Sequence, residues 1–417
     1  MRRLFTSIVA IGSVLLSFAQ DWQVFDMGNS PLPSTTVTAL VEDGQGGIWV
    51  GTDWGLCHFD GEAGWDIFQV DDSDIPSNYI SSLAMDADER LWVGTVSDGL
   101  ALFDGGVWSV FTPDNSGIPG LGVKDLFIDY RGWVWIAMGS GLVCYADGNW
   151  NVYNDTEESY NGLTLNTGNT NAVAVRGDGV VCLGTFNGGL HFLTETSVSF
   201  LTTFNDGFFD NTATDVLFDP VNGDRWISTP AGGLLRQQGP VNGGNWFQWN
   251  SSIAFPSNGL LCLTMDPSRR IWTGTQISGL IRVDTDGSFV QFTELNSGLP
   301  DNEVKSVLAG SDGAVWVGTV YGGLARYQPN VGSPERPQHA VAHVYPNPVV
   351  HDRISVSGIV GPWNWTLLNA QGRLVMEGAG NGSNSEVRLQ GVSSGIYIFQ
   401  IRKDRLVEAH RLLVESD

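Results

Sequence analysis

Three aromatic residues stand where related segments of the chain carry small or polar residues: Trp54, Phe186 and Tyr321. Each lies between a Thr and a Gly-Leu pair, and Asp98 and Asn187 are polar neighbours in the same kind of turn. A sugar ring needs an apolar face on which to stack and polar groups to meet its hydroxyls. We therefore predict that these five residues bind a ligand, most simply a glycan. The alternative is that the three rings pack against neighbouring loops.

The other residues that could do chemistry form no recognised catalytic or metal-binding pattern. The six histidines share no motif, and no H-E-x-x-H zinc sequence occurs. Acidic pairs such as Asp71-Asp72 and Glu157-Glu158 are typical of solvated loops. We expect no catalytic residue, no metal and no cofactor, although an enzyme site assembled from several segments stays an open alternative.

Two polar residue types recur at fixed places in the repeated segments. An aspartate stands in the turn before a strand in four of them: Asp43, Asp86, Asp129 and Asp266. An asparagine stands just before a strand in four: Asn78, Asn211, Asn258 and Asn302. A calcium loop needs several carboxylates at alternate positions, so the aspartates are predicted to stabilise turns. Asparagine bonds its local backbone readily, which favours the same role over a polar ring around a channel.

The segments themselves are seven copies of one pattern, exemplified by Leu91-Trp92-Val93-Gly94-Thr95 followed by Gly99-Leu100. The marker positions are Trp49, Trp92, Trp135, Cys182, Trp226, Trp272 and Trp316. Their spacing of 43 to 47 residues, with strand-like alternation and no long helical pattern, is typical of β-propeller blades. Tryptophan and glycine alternate on one face of the strand, and we expect that face to be buried between adjacent blades.

The ends of the repeat region predict how the ring closes. The seventh copy supplies only three strands, ending with 324–327, whereas Trp22-Gln23-Val24-Phe25 resembles the outer strand of a blade that lacks its other strands. Pairing the two would remove an exposed sheet edge. The fold class expected is all-β, with a seven-bladed propeller closed by the N-terminal strand.

Composition and the first residues place the protein outside the cytoplasm. Residues 1–19 have two arginines, an apolar run and a small-x-small end, as in a secretory signal peptide. The formal net charge of −24 argues against nucleic acid and anionic membranes as partners. The four cysteines have no metal spacing and are interpreted as small buried residues, with a disulfide left open.

The C-terminal region reads as a separate domain. Residues 329–341 are a Pro-rich linker, and residues 342–417 contain YPNP, N-x-x-G-R and SGIY-x-F-x-I sequences. These resemble the type A C-terminal sorting domain of the Bacteroidetes type IX secretion system. The resemblance implies a small β-sandwich, which strands at 354–356, 365–368, 386–389 and 396–401 also favour. It further implies the type IX machinery as a partner, followed by release or surface attachment.

The repeats in residues 20–328 resemble the two-component regulator propeller repeat, D-x-x-G-x-L-W-V-G-T-x-x-G-L. That repeat forms periplasmic sensors that respond to polysaccharide fragments, but this chain carries a secretion tag and no kinase. We therefore predict a secreted or surface-attached, non-enzymatic binding propeller with no membrane span in the mature protein. The alternatives are a polysaccharide lyase or hydrolase and a protein-binding scaffold in a surface assembly.

Overall fold

The computed structural model describes residues 22–204, 208–239, 244–328, 343–350, 352–357, 361–369, 373–382, 384–403 and 406–414. Strands dominate these residues, and the helical elements among them are two short 3-10 turns, Tyr160–Gly162 and Ser251–Ile253. The all-β class is confirmed. No helix within the described ranges has the length and apolar character needed to cross a membrane. The predicted signal peptide and the predicted linker at 329–341 lie outside the described residues.

Four-stranded antiparallel sheets repeat along residues 22–328, and the described part of this region contains seven. The first strand, β1 (Trp22–Phe25), precedes the sheets that are complete in sequence. Sheet 1 comprises β2 (Val37–Glu42), β3 (Ile48–Thr52), β4 (Gly55–Phe59) and β5 (Trp65–Phe68). Sheet 2 comprises β6 (Ile80–Met85), β7 (Leu91–Thr95), β8 (Leu100–Asp104) and β9 (Val107–Phe111). Sheet 3 comprises β10 (Val123–Ile128), β11 (Val134–Met138), β12 (Gly141–Ala146) and β13 (Asn149–Tyr153).

The remaining sheets follow the same order. Sheet 4 comprises β14 (Thr170–Val175), β15 (Val181–Thr185), β16 (Leu190–Leu193) and β17 (Val198–Leu201). Sheet 5 comprises β18 (Asp215–Phe218), β19 (Arg225–Ser228), β20 (Leu234–Gln238) and β21 (Asn245–Trp249). Sheet 6 comprises β22 (Leu260–Met265), β23 (Ile271–Thr275), β24 (Leu280–Val283) and β25 (Phe289–Phe292). Sheet 7 comprises β26 (Val304–Ala309), β27 (Val315–Thr319) and β28 (Leu324–Tyr327), with β1 as its fourth strand.

The expected pairing between the two ends of this region is present. Strand β1 lies antiparallel to β28, with Trp22 opposite Tyr327 and Phe25 opposite Leu324. The first strands of successive sheets contact one another, and β26 of sheet 7 contacts β2 of sheet 1. Strand β28 is therefore paired on both sides, and β1 completes sheet 7 as its fourth strand.

The repeated tryptophan and glycine form the packing between sheets, as predicted. The six marker tryptophans are buried. Where a glycine stands two residues after the marker, it lets the next sheet approach closely. A Cβ added to Gly94 would lie 2.5 Å from Val123 Cγ1, and one on Gly318 would lie 2.5 Å from Val37 Cγ1. Where Cys182 replaces tryptophan, the space is filled differently, with the buried Arg225 guanidinium 5.2 Å from the centre of the Phe192 ring.

The chain divides into two compact units, residues 1–330 and 331–417. The second contains β29 (His343–Val350), β30 (Arg353–Ser357), β31 (Pro362–Asn369), β32 (Leu374–Asn381), β33 (Asn384–Arg388), β34 (Gly395–Lys403) and β35 (Leu406–Val414). Strand β29 joins a three-stranded part to a four-stranded part, through a single parallel pair between Val349 and Val414. Both parts contribute to one apolar core, for example Ile354 from the first and Phe399 from the second.

Candidate functional site

The turns between second and third strands are built around one threonine. In six sheets its hydroxyl donates to the carbonyl of the glycine that starts or precedes the third strand, as Thr52 does to Gly55 at 2.7 Å and Thr319 to Gly323 at 2.9 Å. Sheet 3 has Met138 instead, and Thr170 of the next sheet donates to the Met138 and Gly141 carbonyls. The conserved geometry holds each turn rigid, so the residues at its tip must point outwards.

These turns are bonded to the loops that enter the first strands, and together we call them the Thr-turn rim. Gly55 N donates to the carbonyl of Asn78, and Gly189 N to that of Asn211, both at 2.8 Å. The side chains of the four recurring asparagines bond turn residues eight or seven positions earlier, as Asn78 Oδ1 accepts from Val70 N. Their predicted turn-stabilising role is confirmed by these bonds.

The five residues predicted to bind a ligand all lie on the Thr-turn rim. Trp54, Phe186 and Tyr321 are 55%, 51% and 74% exposed. Asn187, which follows Phe186, and Asp98, in the equivalent turn of sheet 2, are also exposed. Asn187 has a left-handed φ of 63°, and its Oδ1 accepts from the Thr212 hydroxyl at 3.3 Å. Among the described residues, none of the three aromatic side chains stacks on another ring or lies under a cation.

The structure brings Trp54 and Tyr321 into neighbouring turns. Thr36 lies between them: its carbonyl accepts from Asp53 N at 3.3 Å and its hydroxyl donates to the Val320 carbonyl at 2.9 Å. Asp301 Oδ2 accepts from Tyr321 N at 2.8 Å and fixes that turn further. The two rings therefore belong to one junction, that of sheets 7 and 1.

The remaining predicted residues lie elsewhere on the same rim. Phe186 and Asn187 share the turn of sheet 4, and Asp98 lies in the turn of sheet 2. Sheets 2 and 3 separate Phe186 from the Trp54 turn, so the five residues are not one cluster. Val96 and Ile277 are exposed apolar side chains of equivalent turns that were not among the predicted residues. Only their exposure in the structure identifies them as candidates for binding.

A cavity of about 450 Å³ opens on the Thr-turn rim between sheets 2 and 3. Its walls include Ser81, Val96, Leu121, Lys124 and Ser140 with the glycines beside them. Four separate stretches of sequence meet there, at 81, 96, 120–124 and 139–140, and none of them was predicted as a binding site. A volume of this size falls in the range of small-molecule pockets, roughly 300–1,000 Å³.

The opposite rim, formed by the turns between first and second strands, is the Asp-turn rim. Here Asp129 accepts from the Trp135 indole N–H at 3.0 Å and from Arg131 N at 2.8 Å, and Asp266 holds Trp272 in the same way. Burial alone would raise the pKa of Asp129, but the bonds from Arg131, Trp135 and the backbone bring it below its usual value. The repeated aspartates thus stabilise their turns, as predicted. Asp86, Asp129 and Asp266 also accept from tryptophan indoles, which was not predicted.

A second cavity, about 220 Å³, lies on the Asp-turn rim between sheets 5 and 6. Its charged wall residues already have partners within the protein: Arg269 is paired with Asp219 and Arg236 with Asp224. Opening this cavity to a charged ligand would require those ion pairs to separate. The Thr-turn rim is therefore the better candidate for binding.

Two buried carboxylates, Asp125 and Asp215, lie near the start of first strands. Asp125 accepts from Val173 N at 2.9 Å, and Asp215 Oδ2 accepts from Leu263 N at 2.6 Å. Burial raises the pKa of Asp125 to about 6, and burial together with the charge of Asp125 raises the pKa of Asp215 to about 8. Each carboxylate thus bonds the backbone of a neighbouring sheet.

The remaining reactive side chains form no metal or nucleophile site among the described residues. The four cysteines are free and buried, which confirms their interpretation as small core residues. No group of three histidine, cysteine, aspartate or glutamate residues in the described ranges could hold a metal ion. A G-x-S-x-G sequence does occur at 391–395, but strands rather than a strand and a helix flank it, and Ser393 contacts Tyr397.

Two family models match the chain. "Two component regulator propeller" matches residues 31–54, 74–97 and 298–321, and "Secretion system C-terminal sorting domain" matches residues 343–415. The chain thus carries the propeller repeats and the type IX sorting domain that the sequence resembled. The sorting domain indicates a secreted or cell-surface protein and implies contact with the type IX machinery. A search of curated proteins finds no match.

Solved structures share the fold at low identity. The extracellular domain of BT3049 from B. thetaiotaomicron, described as a hybrid two component system, is 16% identical with a TM-score of 0.65. PorZ, a surface component of the type IX secretion system of Porphyromonas gingivalis, is 18% identical with a TM-score of 0.55. Each match covers 94% of this chain, together with 57% of the BT3049 chain and 61% of the PorZ chain.

A third structure, YCF48 bound to D1 peptide, is 16% identical with a TM-score of 0.55. It covers 75% of this chain, and 97% of YCF48 is covered in return. At these identities the likeness concerns the fold alone.

Proposed function

We propose that this chain, a secreted or cell-surface propeller protein with a type IX sorting domain, recognises a glycan at its Thr-turn rim. In this proposal the seven sheets are the blades of a closed seven-bladed propeller, and the C-terminal unit is a β-sandwich. The domains are the signal peptide at 1–19, the propeller at 20–328, the linker at 329–341 and the sorting domain at 342–417. Binding needs no catalysis.

The proposal rests on the exposed aromatic rings of Trp54 and Tyr321. The two rings sit in adjacent turns that Thr36 joins, and both are more than half exposed. Exposing two large aromatic rings to water forgoes the free energy that burying them would provide. The hydrogen bonds of the surrounding turns hold the backbone at both rings in place. Rigid exposed rings next to backbone and carboxylate groups suit the alternating apolar and polar surface of a saccharide.

Phe186 with Asn187, and Asp98, extend the proposed binding surface to other turns of the rim. A polysaccharide is long enough to contact separate turns, whereas a monosaccharide would contact one. The proposal therefore predicts stronger binding of oligosaccharides than of single sugars, with each turn adding contacts to the same ligand.

Titration of the folded protein with a panel of neutral and acidic polysaccharides, first on a glycan array and then by calorimetry, tests the proposal. Trp54→Ala and Tyr321→Ala should each weaken binding at least about fivefold, the factor that corresponds to roughly 1 kcal/mol. Tyr130→Ala is the matched control, because Tyr130 is an exposed ring on the Asp-turn rim with Arg131 5.3 Å from its centre. Absence of binding to every polysaccharide, or equal binding by all three variants, would refute it.

A protein partner is the second candidate, favoured by one observation. Ile277 and Val96 add exposed apolar surface to the same rim, at 81% and 57% exposed, and YCF48, whose fold is similar, is bound to the D1 peptide in its solved structure. Competition between a candidate peptide and a polysaccharide for the wild-type protein would separate the two. Peptide binding lost in Ile277→Ser but kept in Trp54→Ala would favour the protein partner.

A further inference from the structure

Lysine is the rarest charged residue of this protein, and its placement is not even. The 417-residue chain contains three lysines, at 124, 305 and 403. Those of the propeller region, Lys124 and Lys305, occupy the same structural position, the extra residue in the register shift at the start of a sheet's first strand. In the other sheets with this shift the position holds Thr38, Ser81, Asn171 or Leu261. Both lysines lie on the Thr-turn rim.

Most arginines of the same region differ from these lysines in being neutralised; the exception is the buried Arg225, which donates to Gln237 Oε1 and to the Gly239 carbonyl. Within the described residues 22–328, eight arginines form ion pairs with aspartates: Arg90, Arg131, Arg176, Arg236, Arg269, Arg270, Arg282 and Arg326. Lys124 and Lys305 form no ion pair there, and Lys124 is held by amide oxygens. An unneutralised cation in a chain of net charge −24 is therefore confined to a few places.

Lys124 forms part of the wall of the 450 Å³ cavity between sheets 2 and 3. The wall contains no aspartate or glutamate, although the chain has 45 of them. Its apolar parts are Val96 and Leu121, both partly exposed. Glycines bring the walls together: a Cβ on Gly120 would lie 2.8 Å from Ser140 Oγ.

Polar capacity remains for a ligand at this wall. Lys124 Nζ donates to Asn169 Oδ1 at 2.6 Å and to Asn171 Oδ1 at 2.9 Å, which uses two of its three ammonium hydrogens. Ser81 Oγ is buried and has no hydrogen-bond partner. Burial lowers the pKa of Lys124, and a carboxylate placed beside it would offset that cost.

The same lysine is connected to the exposed ring of Phe186. Asn169, which accepts from Lys124 through its side chain, accepts from Phe186 N through its carbonyl at 2.9 Å. One residue thus joins the cation at the cavity to a turn that offers an aromatic face. Lys305 lacks this arrangement: among the described residues it has no recorded side-chain partner, and it does not line the cavity.

We propose that this cavity binds the carboxylate of an acidic saccharide, a uronic acid unit, with Lys124 Nζ and Ser81 Oγ as donors and Phe186 beside the adjoining sugar. This inference rests on the proposed glycan binding and names its ligand class. A neutral sugar would leave the Lys124 charge without a counter-ion in a partly desolvated place, which disfavours it.

The test uses the folded full-length protein after signal removal and two probes, an oligogalacturonate and the same oligosaccharide after reduction of its carboxyl groups. Wild type should bind the acidic probe at least about tenfold more tightly than the reduced one, as expected for a charge-assisted contact. Lys124→Met should abolish that preference and leave the affinity for the reduced probe within about twofold. Lys124→Arg should retain the preference, because the cation is kept.

Lys305→Met is the matched control, with the same residue change at the same structural position in sheet 7, and it should bind both probes as wild type does. Equal binding of the two probes by wild type, or an unchanged preference in Lys124→Met, would overturn this inference while leaving the glycan proposal intact. Binding of neither probe, with every other polysaccharide also unbound, would instead defeat the proposed function itself. Thermal melting of each variant checks that loss of binding is not loss of folding.

Discussion

The two rims of the propeller region use their polar groups in opposite ways. On the Asp-turn rim, aspartates bond their own turns, the tryptophan indoles and nearby arginines, and Arg131 lies over the Trp133 ring at 3.7 Å. On the Thr-turn rim, threonine hydroxyls close the turns, and the rings and Lys124 beyond them face outwards. The polar groups of the Asp-turn rim are therefore bonded within the protein, whereas the Thr-turn rim presents exposed aromatic rings.

The difference shows how a repeat can supply both stability and function. In sheets 2, 3 and 6 an Asp-turn aspartate satisfies the indole N–H of the buried marker tryptophan. The Thr-turn hydrogen bond recurs in six sheets, and it is made by the threonine rather than by the side chain at the tip of the turn. Tip residues can therefore differ from sheet to sheet, as Trp54, Ser140, Phe186 and Ala231 do.

The comparison predicts its largest effect for a tryptophan clamped on the Asp-turn side. Trp272 is fully buried, and its indole donates to Asp266 at 2.9 Å. We expect Trp272→Ala to lower the free energy of unfolding by about 3–5 kcal/mol, because a large cavity forms between sheets. Denaturant unfolding followed by fluorescence and circular dichroism measures this change.

Trp272→Phe separates the two contributions at this position. It keeps an aromatic ring in the space but removes the indole N–H, so it should cost less than Trp272→Ala and leave Asp266 short of one donor. Equal losses in both variants would mean that the clamp, rather than ring packing, dominates. A loss below about 1 kcal/mol in Trp272→Ala would contradict the burial of the marker residues as a source of stability.

A smaller effect distinguishes the rim carboxylates from those on the first strands. The Asp129 and Asp219 pKa values are lowered by hydrogen bonds and arginine partners that outweigh burial, so their contribution is lost only when the pH falls below about 4. The pKa of Asp215 is raised to about 8, so the folded state holds more protons than the unfolded state from about pH 4 to 8. The stability contributed by protonated Asp215 is therefore lost as the pH rises.

Urea unfolding from pH 6.5 to 8.5 measures this loss. We expect the wild-type free energy of unfolding to fall by about 1 kcal/mol or more over that range, since a pKa change of one corresponds to about 1.4 kcal/mol. Asp215→Asn should fall less steeply, whatever its absolute stability. The buried cysteine thiols, whose pKa values are raised by burial, act in the same direction in both proteins. Asp104→Asn, at an exposed position, should show the wild-type slope.

The strands and the buried tryptophans were predictable because the information is local and repeated along the chain. The pairing of β1 with β28 followed instead from comparing the two ends of the repeat region, since the last copy lacks the strand that residues 22–25 resemble. A Trp-x-Gly-Thr segment needs only its own alternation to identify a strand and its buried face. The turn roles of Asp129 and Asn78 followed from the chemistry of their side chains. The C-terminal strands were found in part: 354–356, 365–368 and 396–401 lie within strands, and Leu389 falls just beyond β33. Strands β29, β32 and β35 were not predicted.

The cavity beside Lys124 was not predictable in the same way. Its wall joins the start of β6, the loop before β10 and the turn before β12, and no short window of sequence contains these together. The junction of Trp54 with Tyr321 likewise depends on residues near both ends of the propeller region. The feature of the sequence that could have indicated the cavity is the scarcity of lysine. The propeller region has two lysines, each at the start of a first strand.

The smallest expected change in stability concerns the exposed rings of the Thr-turn rim. Because the Trp54 and Tyr321 rings are exposed and contact no recorded ring or cation, their replacement by alanine should change the free energy of unfolding by less than about 0.5 kcal/mol each. Denaturant unfolding of both variants checks this, beside Trp272→Ala in the same buffer. A loss above about 1.5 kcal/mol would mean that the rings pack on neighbouring loops and stabilise the fold. Near-neutral stability would instead leave ligand contact as the use for two rigidly held aromatic faces.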